Sequence, residues 1–423
     1  MRPLRTALAL TLVLGVQAAT AHAALRFTAR CGNFECARLR VPLDRSGAVP
    51  GTVRLSIERV RAHRRPEGAV FALAGGPGQG ASSVTEAFNR DTFGRIGRRD
   101  LVVVDQRGTG RSGALSCRDL ERPRGRDPLD VRTARCAERL GEPRRFYRTA
   151  DSVEDLEAVR AELGVERITL LGVSYGTKVA LTYAQTYPER VERLVLDSVV
   201  EAEEPDVFEL DSIAAVPRVL DELCRGECAG ITPSLSRDVA DLADRMPVRA
   251  PVVDPRGRAT TREVTARDLY LAIRAGDFFP DLSVAYPGAV RAALDGDPAP
   301  LARLVHGDVV GPDVPTPELP QVQSFTLQAA TLCEEAPLPW DRTQPSPEER
   351  DRQARERAQA IPDERFEPFD REVVLAHDHS SLLLQCRRWP AAPPRPLPAP
   401  KPLPDVPALV LQGQEDVRTP LEV

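Results

Sequence analysis

A serine flanked by glycines at Gly172-Val173-Ser174-Tyr175-Gly176 fits the pattern G-x-S-x-G, in which a hydroxyl is presented as a nucleophile on a tight strand-to-helix turn. The flanks suit that turn. Residues 168–171 read as a short buried strand, and a helical pattern begins near Thr177 and runs over 178–187 until Pro188 stops it. Glycines are needed on either side because the turn holds the serine at unusual backbone angles and leaves no room for side chains. A helix N-terminus behind Ser174 also favours developing negative charge. The chemistry these residues suit is attack on the carbonyl of an ester or peptide. A serine in a purely structural turn is the bland alternative, and the strand, the helix and a glycine loop about 100 residues upstream weigh against it.

Attack on a carbonyl creates an oxyanion that must meet preorganised N–H donors. One is the backbone N–H of Tyr175. The other is expected from the loop 74–78, where Pro77 has no N–H and Gly75 or Gly76 must donate; Gly76 is the preferred donor. Serine also needs a base and an orienting acid. A late strand over 408–412 leads into Gly413-Gln414-Glu415-Asp416-Val417-Arg418-Thr419-Pro420, where Asp416 is the better placed acid and Glu415 the alternative. With the acid here, the order Ser, Asp, His calls for a histidine later in the chain, and none follows Asp416. His306, His377 and His379 lie in the insertion and read as loop or helix-cap residues, with folding over the site as the alternative.

These groups must be held by a sheet. Short apolar runs alternate with helical patterns from about 39 to 196, the signature of parallel βαβ units. Strands are expected at 69–73, 101–104, 168–171 and 194–196. A helix is expected behind Ser152, with Asp155 closing a capping box and Val153, Leu156, Val159 and Leu163 as its apolar stripe. Residues 201–400 show helical stretches, among them the charged 347–360, but no comparable βα run. A proline-rich stretch over 390–407 then returns to the strand 408–412. The expectation is an α/β fold, a mostly parallel sheet with a large, mainly helical lid inserted before the last strands. Its parts are a leader 1–23, core segments 24–200 and 401–423, and the insertion 201–400.

The 423 residues are 42% hydrophobic and 28% charged, with a formal net charge of −5. The composition suits a soluble globular protein, and without a concentrated basic face nucleic acid is not an expected partner. Arg2 and Arg5, the apolar 7–16 and Ala21-His22-Ala23 have the layout of a cleaved secretory signal, too short to span a bilayer. The expected location is therefore secreted or periplasmic, without stable membrane insertion. Eight cysteines follow the cleavage point, an even number that suits disulfides in an exported protein. Nearest neighbours are expected to pair: Cys31 with Cys36, Cys117 with Cys136, Cys224 with Cys228, and Cys333 with Cys386. A zinc site at Cys224 and Cys228 lacks a second ligand pair at suitable spacing. No metal or cofactor is expected.

Four motifs in order are Gly75-Gly76-Pro77-Gly78, Asp105-Gln106-Arg107-Gly108-Thr109-Gly110-Arg111-Ser112, Gly172 to Gly176 and Gly413 to Pro420. Together they resemble the prolyl and tripeptidyl aminopeptidase family of α/β hydrolases. Cys333 and Cys386-Arg387-Arg388-Trp389-Pro390 resemble the cysteine-bearing lid of its secreted members. The resemblance implies Ser174 as nucleophile, Asp416 as acid, Gly76 and Tyr175 as oxyanion donors, and release of residues from peptide N-termini. Such an enzyme needs a carboxylate for the substrate ammonium, and Glu334 and Glu335 are the candidates; Asp105 and Arg107 are expected to brace the turn beneath the site. The chain departs from the family in carrying Ala74 where proline-releasing members have histidine, and in lacking the final strand, histidine and helix. On that basis the sequence is expected to be incomplete and nearly inactive as it stands, with the strand 408–412 left on an unprotected edge. An esterase or lipase, or a binding protein that keeps the fold without the base, are the competing expectations.

Overall fold

The computed structural model describes residues 25–422 apart from 63–64, 93–94, 122–126, 202–205, 227, 254–256, 277, 307–318, 376–381, 394 and 396–398. The leader 1–23, His63, His377 and His379 therefore lie outside the described residues.

Three antiparallel strands, β1 (Ala29–Cys31), β2 (Phe34–Pro42) and β3 (Thr52–Val60), open the chain. They are followed by β4 (Gly68–Leu73), β5 (Arg99–Val104), β6 (Ile168–Val173) and β7 (Val191–Asp197), and later by β10 (Ala408–Leu411). The sheet order is β1-β2-β3-β5-β4-β6-β7-β10, and every pair from β5 onward is parallel. The apolar runs are continuous because both faces of these strands are covered. Ala69, Phe71, Leu73, Val102, Val104 and Leu170 pack with Leu156 and Val159 of α3 (Thr149–Leu163) and Val179 and Tyr183 of α4 (Tyr175–Thr186). Val70, Ala72, Leu101 and Val103 point to the other face, against Phe88 of α1 (Thr85–Thr92). α2 (Leu129–Leu140) precedes α3 in the long crossover from β5 to β6.

From β4 the chain goes first to β5 on one side and then to β6 on the other. This strand-order reversal puts a crevice at the carboxyl ends of β4 and β6, where ligands of open α/β sheets bind.

Between β7 and β10 come α5 (Leu210–Leu223), α6 (Leu235–Ala243), a hairpin of β8 (Val248–Val253) and β9 (Ala259–Val264), and α7 (Ala266–Ala275). Then follow α8 (Pro280–Leu294), α9 (Ala299–His306), α10 (Leu319–Val322), α11 (Phe325–Glu335), α12 (Pro347–Gln359), α13 (Arg371–Leu375) and α14 (Leu382–Cys386). These helices build their own core, with Leu220, Tyr270, Tyr286, Val290, Phe366 and Trp389 among its buried members. Cys117 and Cys136 bridge beneath α2 and Cys333 and Cys386 join α11 to α14; Cys31–Cys36 and Cys224–Cys228 complete the nearest-neighbour pairing. Cys224 and Cys228 are bonded to each other and offer no thiolate to zinc. Cys31, Cys36 and Glu58 form a group of metal-ligand reach among the described residues, and its two sulfurs are likewise joined. No helix among the described residues is long and apolar enough to cross a membrane.

One local expectation changes. Ser152 does not cap its helix: α3 begins at Thr149, Asp151 accepts the Arg148 N–H at 3.2 Å, and Ser152 lies inside the helix, donating to the Arg148 carbonyl at 3.1 Å. Asp155 is unavailable for capping because it receives Arg107, through Nε at 2.7 Å and Nη2 at 2.6 Å. The insertion is mainly helical, as expected, and β8 and β9 form a two-stranded hairpin within it.

Candidate active site

β6 ends at Val173 and α4 starts at Tyr175, so Ser174 alone makes the corner. Its φ of 53° and ψ of −125° are a conformation that non-glycine residues rarely adopt and that is typically held in place by surrounding structure at functional sites. Here the Ser174 N–H donates to the Asp197 carbonyl at 2.9 Å, and the Ser174 carbonyl accepts from Thr177 N–H at 2.8 Å and Thr177 Oγ1 at 2.6 Å. The neighbouring glycines are sterically required. A Cβ on Gly176 would sit 2.2 Å from the Leu73 carbonyl oxygen, and one on Gly172 would lie 2.5 Å from the Gly176 oxygen.

The loop after β4 lies against this corner, where a Cβ on Gly75 would be 3.1 Å from the Ser174 Cβ. Gly75 donates its N–H to Gln79 Oε1 at 3.1 Å and is taken up within the loop itself. Tyr175, as the first residue of α4, has no helical acceptor for its N–H. Tyr175 directly follows Ser174, and the loop that carries Gly76 lies against the same corner through Gly75. The insertion clamps the loop from outside: Ser324 N–H donates to the Gly78 carbonyl at 2.9 Å, Gly80 N–H to Val322 at 2.9 Å, and Gln323 Nε2 to Pro77 at 2.9 Å. Gln79 and the stretch 321–324 are parts of the site that no sequence signal marked, because their role rests on contacts across about 240 residues of chain.

Asp416 closes the turn after β10. Its Oδ1 accepts Arg418 N–H at 2.8 Å and Thr419 N–H at 2.9 Å, and its Oδ2 accepts the Thr419 hydroxyl. Ser174, Glu415 and Asp416 line one cavity of about 930 Å³, together with Ser198 and insertion residues including Phe278 and Val284. Among the described residues no histidine side chain lines it.

The structure corrects the expectation for Glu334 and Glu335. Neither lines this cavity. Glu334 accepts from Trp389 Nε1 at 2.8 Å and lies 3.4 Å from Arg144 and 3.6 Å from Arg145. Glu335 accepts from Thr149 N–H at 2.8 Å and Thr149 Oγ1 at 2.7 Å and pairs with Lys178 at 3.4 Å. With side chains only 7% and 3% exposed, both charges are spent inside the protein. Glu335 instead supports the elbow. Thr149 Oγ1 lies 2.7 Å from the hydroxyl of Tyr175, whose pKa is pushed well above the ordinary tyrosine value by burial and by the Glu335 charge.

Asp105 and Arg107 brace the floor. Asp105 accepts from Ser82 N–H at 2.7 Å, Ser82 Oγ at 2.9 Å and Arg111 N–H at 2.7 Å, and burial raises its pKa against those bonds. Fully buried Arg107 ties Asp155 to the carbonyls of Leu43 and Phe146 at 2.9 and 2.8 Å.

A strained serine at a strand–helix corner, flanking N–H donors and an acid in a late turn form the arrangement of an α/β hydrolase, and comparison with known proteins agrees. Residues 68–224 match the family model described as the alpha/beta hydrolase fold. A tripeptidyl aminopeptidase of Streptomyces lividans is 32% identical over 193 residues, 40% of this chain and 35% of that protein. A proline iminopeptidase of Neisseria meningitidis is 35% identical over 159 residues, 37% of this chain and 41% of that protein. The serine protease Hip1 of Mycobacterium tuberculosis is 29% identical over 192 residues, 40% of this chain and 36% of that protein. Residues 68–224 thus have the α/β-hydrolase fold and the chain is similar to these aminopeptidases, of whose length it spans about 35–41%.

Proposed function

We propose that this chain carries the acyl-transfer centre of an exported serine aminopeptidase, which releases residues or short peptides from peptide N-termini. The observation that carries the reading is Ser174 at φ 53°, on a cavity it shares with Asp416. Ser174 Oγ attacks the carbonyl carbon and its proton passes to a base. The oxyanion is held by Gly76 and Tyr175 N–H groups, and the protonated amine leaves. Water then hydrolyses the Ser174 ester. Asp416 orients and stabilises the base. The base this mechanism calls for is a histidine, and among the described residues no histidine side chain lines the cavity. Four disulfides favour an oxidising compartment and support export.

An aminopeptidase must also hold the substrate ammonium. Of the carboxylates lining the cavity, Asp416 is bound into its own turn, whereas Glu415 is exposed, and it takes the role first given to Glu334 and Glu335.

The deciding experiment is active-site labelling with a fluorophosphonate, comparing the chain with its Ser174→Ala variant. Labelling confined to Ser174 is expected, and its absence at high probe concentration would leave a binding protein of hydrolase fold. Binding of free-amine and N-acetylated peptides to Ser174→Ala then separates an aminopeptidase from an esterase. Glu415→Gln is expected to weaken the free-amine peptide about fivefold and leave the acetylated one unchanged. If acetylation makes no difference, the aminopeptidase reading fails.

A further inference from the structure

Large apolar side chains scattered singly on a surface are ordinary, but three that converge on one cavity call for an occupant. Ile231, Phe278 and Val284 are 48%, 66% and 81% exposed, and all three line the cavity that holds Ser174. They come from two places in the insertion, yet each is held by buried structure. Ile231 follows the Cys224–Cys228 bridge and donates its N–H to the Cys228 carbonyl at 2.9 Å. Val284 stands on the outer side of α8, whose Leu282, Tyr286 and Val290 are buried in the insertion's core. The fold of the insertion therefore does not need Val284 where it stands.

The cavity is divided by polarity. Among the described residues, those that the insertion contributes to it are uncharged, whereas the turn after β10 contributes Glu415, Asp416 and Arg418. An extended peptide has the same division, with amine and scissile carbonyl along the backbone and side chains projecting away. Phe278 also connects the two sides. The Arg418 guanidinium lies over its ring, 4.6 Å from the centroid, and donates through Nη2 to the Arg274 carbonyl at 3.0 Å. The backbone N–H of the same Arg418 holds Asp416 Oδ1. A ligand seated on Phe278 thus lies beside the acid turn, which is held by Asp416's own bonds to Arg418 and Thr419.

We propose that Ile231, Phe278 and Val284 form the side-chain subsite of this enzyme, and that its substrates are peptides whose first residues are apolar. This rests on the aminopeptidase reading of the same cavity. A pocket of about 930 Å³ is large enough for two or three residues. Removing contact with one apolar side chain typically changes binding by about tenfold.

The test is equilibrium binding to the Ser174→Ala chain, read by anisotropy of tripeptides carrying a dye at the C-terminus. A Val-Phe-Ala peptide is expected to bind at least about tenfold more tightly than Ser-Asp-Ala. Phe278→Ser and Val284→Ser are each expected to weaken the apolar peptide about three- to tenfold and to leave the polar one unchanged. Both side chains are exposed, so circular dichroism is expected to be unaltered. Equal affinity for the two peptides, or equal weakening of both by the variants, overturns the proposal. Fluorophosphonate labelling of the unsubstituted chain keeps the two readings apart. An inert Ser174 with wall-dependent peptide binding leaves the subsite standing without the hydrolase. A labelled Ser174 with wall-independent binding does the reverse.

Discussion

Ser174 is held in its strained conformation by residues with no side chain at all. Gly176 approaches the Leu73 carbonyl so closely that a methyl group there would overlap it, at 2.2 Å. Gly176→Ala is therefore expected to lower stability by about 2–3 kcal/mol and to abolish fluorophosphonate labelling together with it, as read by denaturant unfolding and a labelling time course. Glu335 acts on the same corner from the far side of α4. Glu335→Gln leaves Lys178 buried and unpaired, at an expected cost of about 3–5 kcal/mol. The readout is thermal unfolding, and binding of N-acetylated and free-amine peptides in the folded variant is expected to keep its ratio, because Glu335 does not face the cavity. A change in that ratio would return Glu335 to the ammonium site.

At the scale of elements, the floor of the site depends on Arg107, which joins the turn after β5 to α3 and to the end of β2. Asp155→Ala would strand a guanidinium with no exposed surface and is expected to cost about 3–5 kcal/mol, measured as a shift of the unfolding midpoint in urea. The same pair explains why the helix start was misread. Ser152 and Asp155 have the spacing of a capping box, but the carboxylate is taken by an arginine 48 positions earlier, and α3 starts four residues sooner, with Arg148 at its cap and Asp151 accepting the Arg148 N–H. Strand positions are legible because the central residues of β4, β5 and β6 are buried on both faces and form short apolar runs. The β8–β9 hairpin was not, because its strands are largely exposed and carry Arg249, Thr260, Thr261 and Arg262 in place of an apolar run.

For the whole molecule, what matters is how the insertion is fastened to the sheet domain. Arg387 and Arg388 from the end of α14 reach Asp130 of α2, through Arg387 Nη2 at 2.6 Å and Arg388 Nε at 2.7 Å. Burial raises the Asp130 pKa, but the two arginines outweigh it and hold the carboxylate below its ordinary 3.8. The folded pKa is depressed, so this clamp contributes stability that is present above about pH 4 and is lost as pH falls through the lower, folded value. Unfolding followed from pH 6 to pH 2.5 is expected to show stability falling below pH 4, with a shallower fall in Asp130→Asn. The Cys333–Cys386 bridge lies beside this clamp and closes 53 residues, worth about 4 kcal/mol in the loop-closure model. Reduction is accordingly expected to lower the unfolding midpoint and to loosen the insertion before the sheet, as read by hydrogen exchange of α11 and α14 against β4 and β6.

The sequence by itself determined the elbow, the glycine loop, the acid turn and the pairing of cysteines. The first three are local, since a turn of fixed geometry accepts few residue types, and each cysteine pairs with its nearest neighbour along the chain, even across the 53 residues from Cys333 to Cys386. It also determined the sheet, through apolar runs that only a doubly covered strand can bury. Only the tertiary structure decided which acids face the cavity. Glu334 and Glu335 occupy the right place in the chain but point into Arg144, Arg145, Lys178 and Trp389, while Glu415 remains exposed on the cavity wall. Whether a carboxylate is spent in the core or free for a ligand depends on partners far away in sequence, and no local pattern encodes them. The apolar wall of Ile231, Phe278 and Val284 has the same origin, since its members become neighbours only when the insertion closes over Ser174.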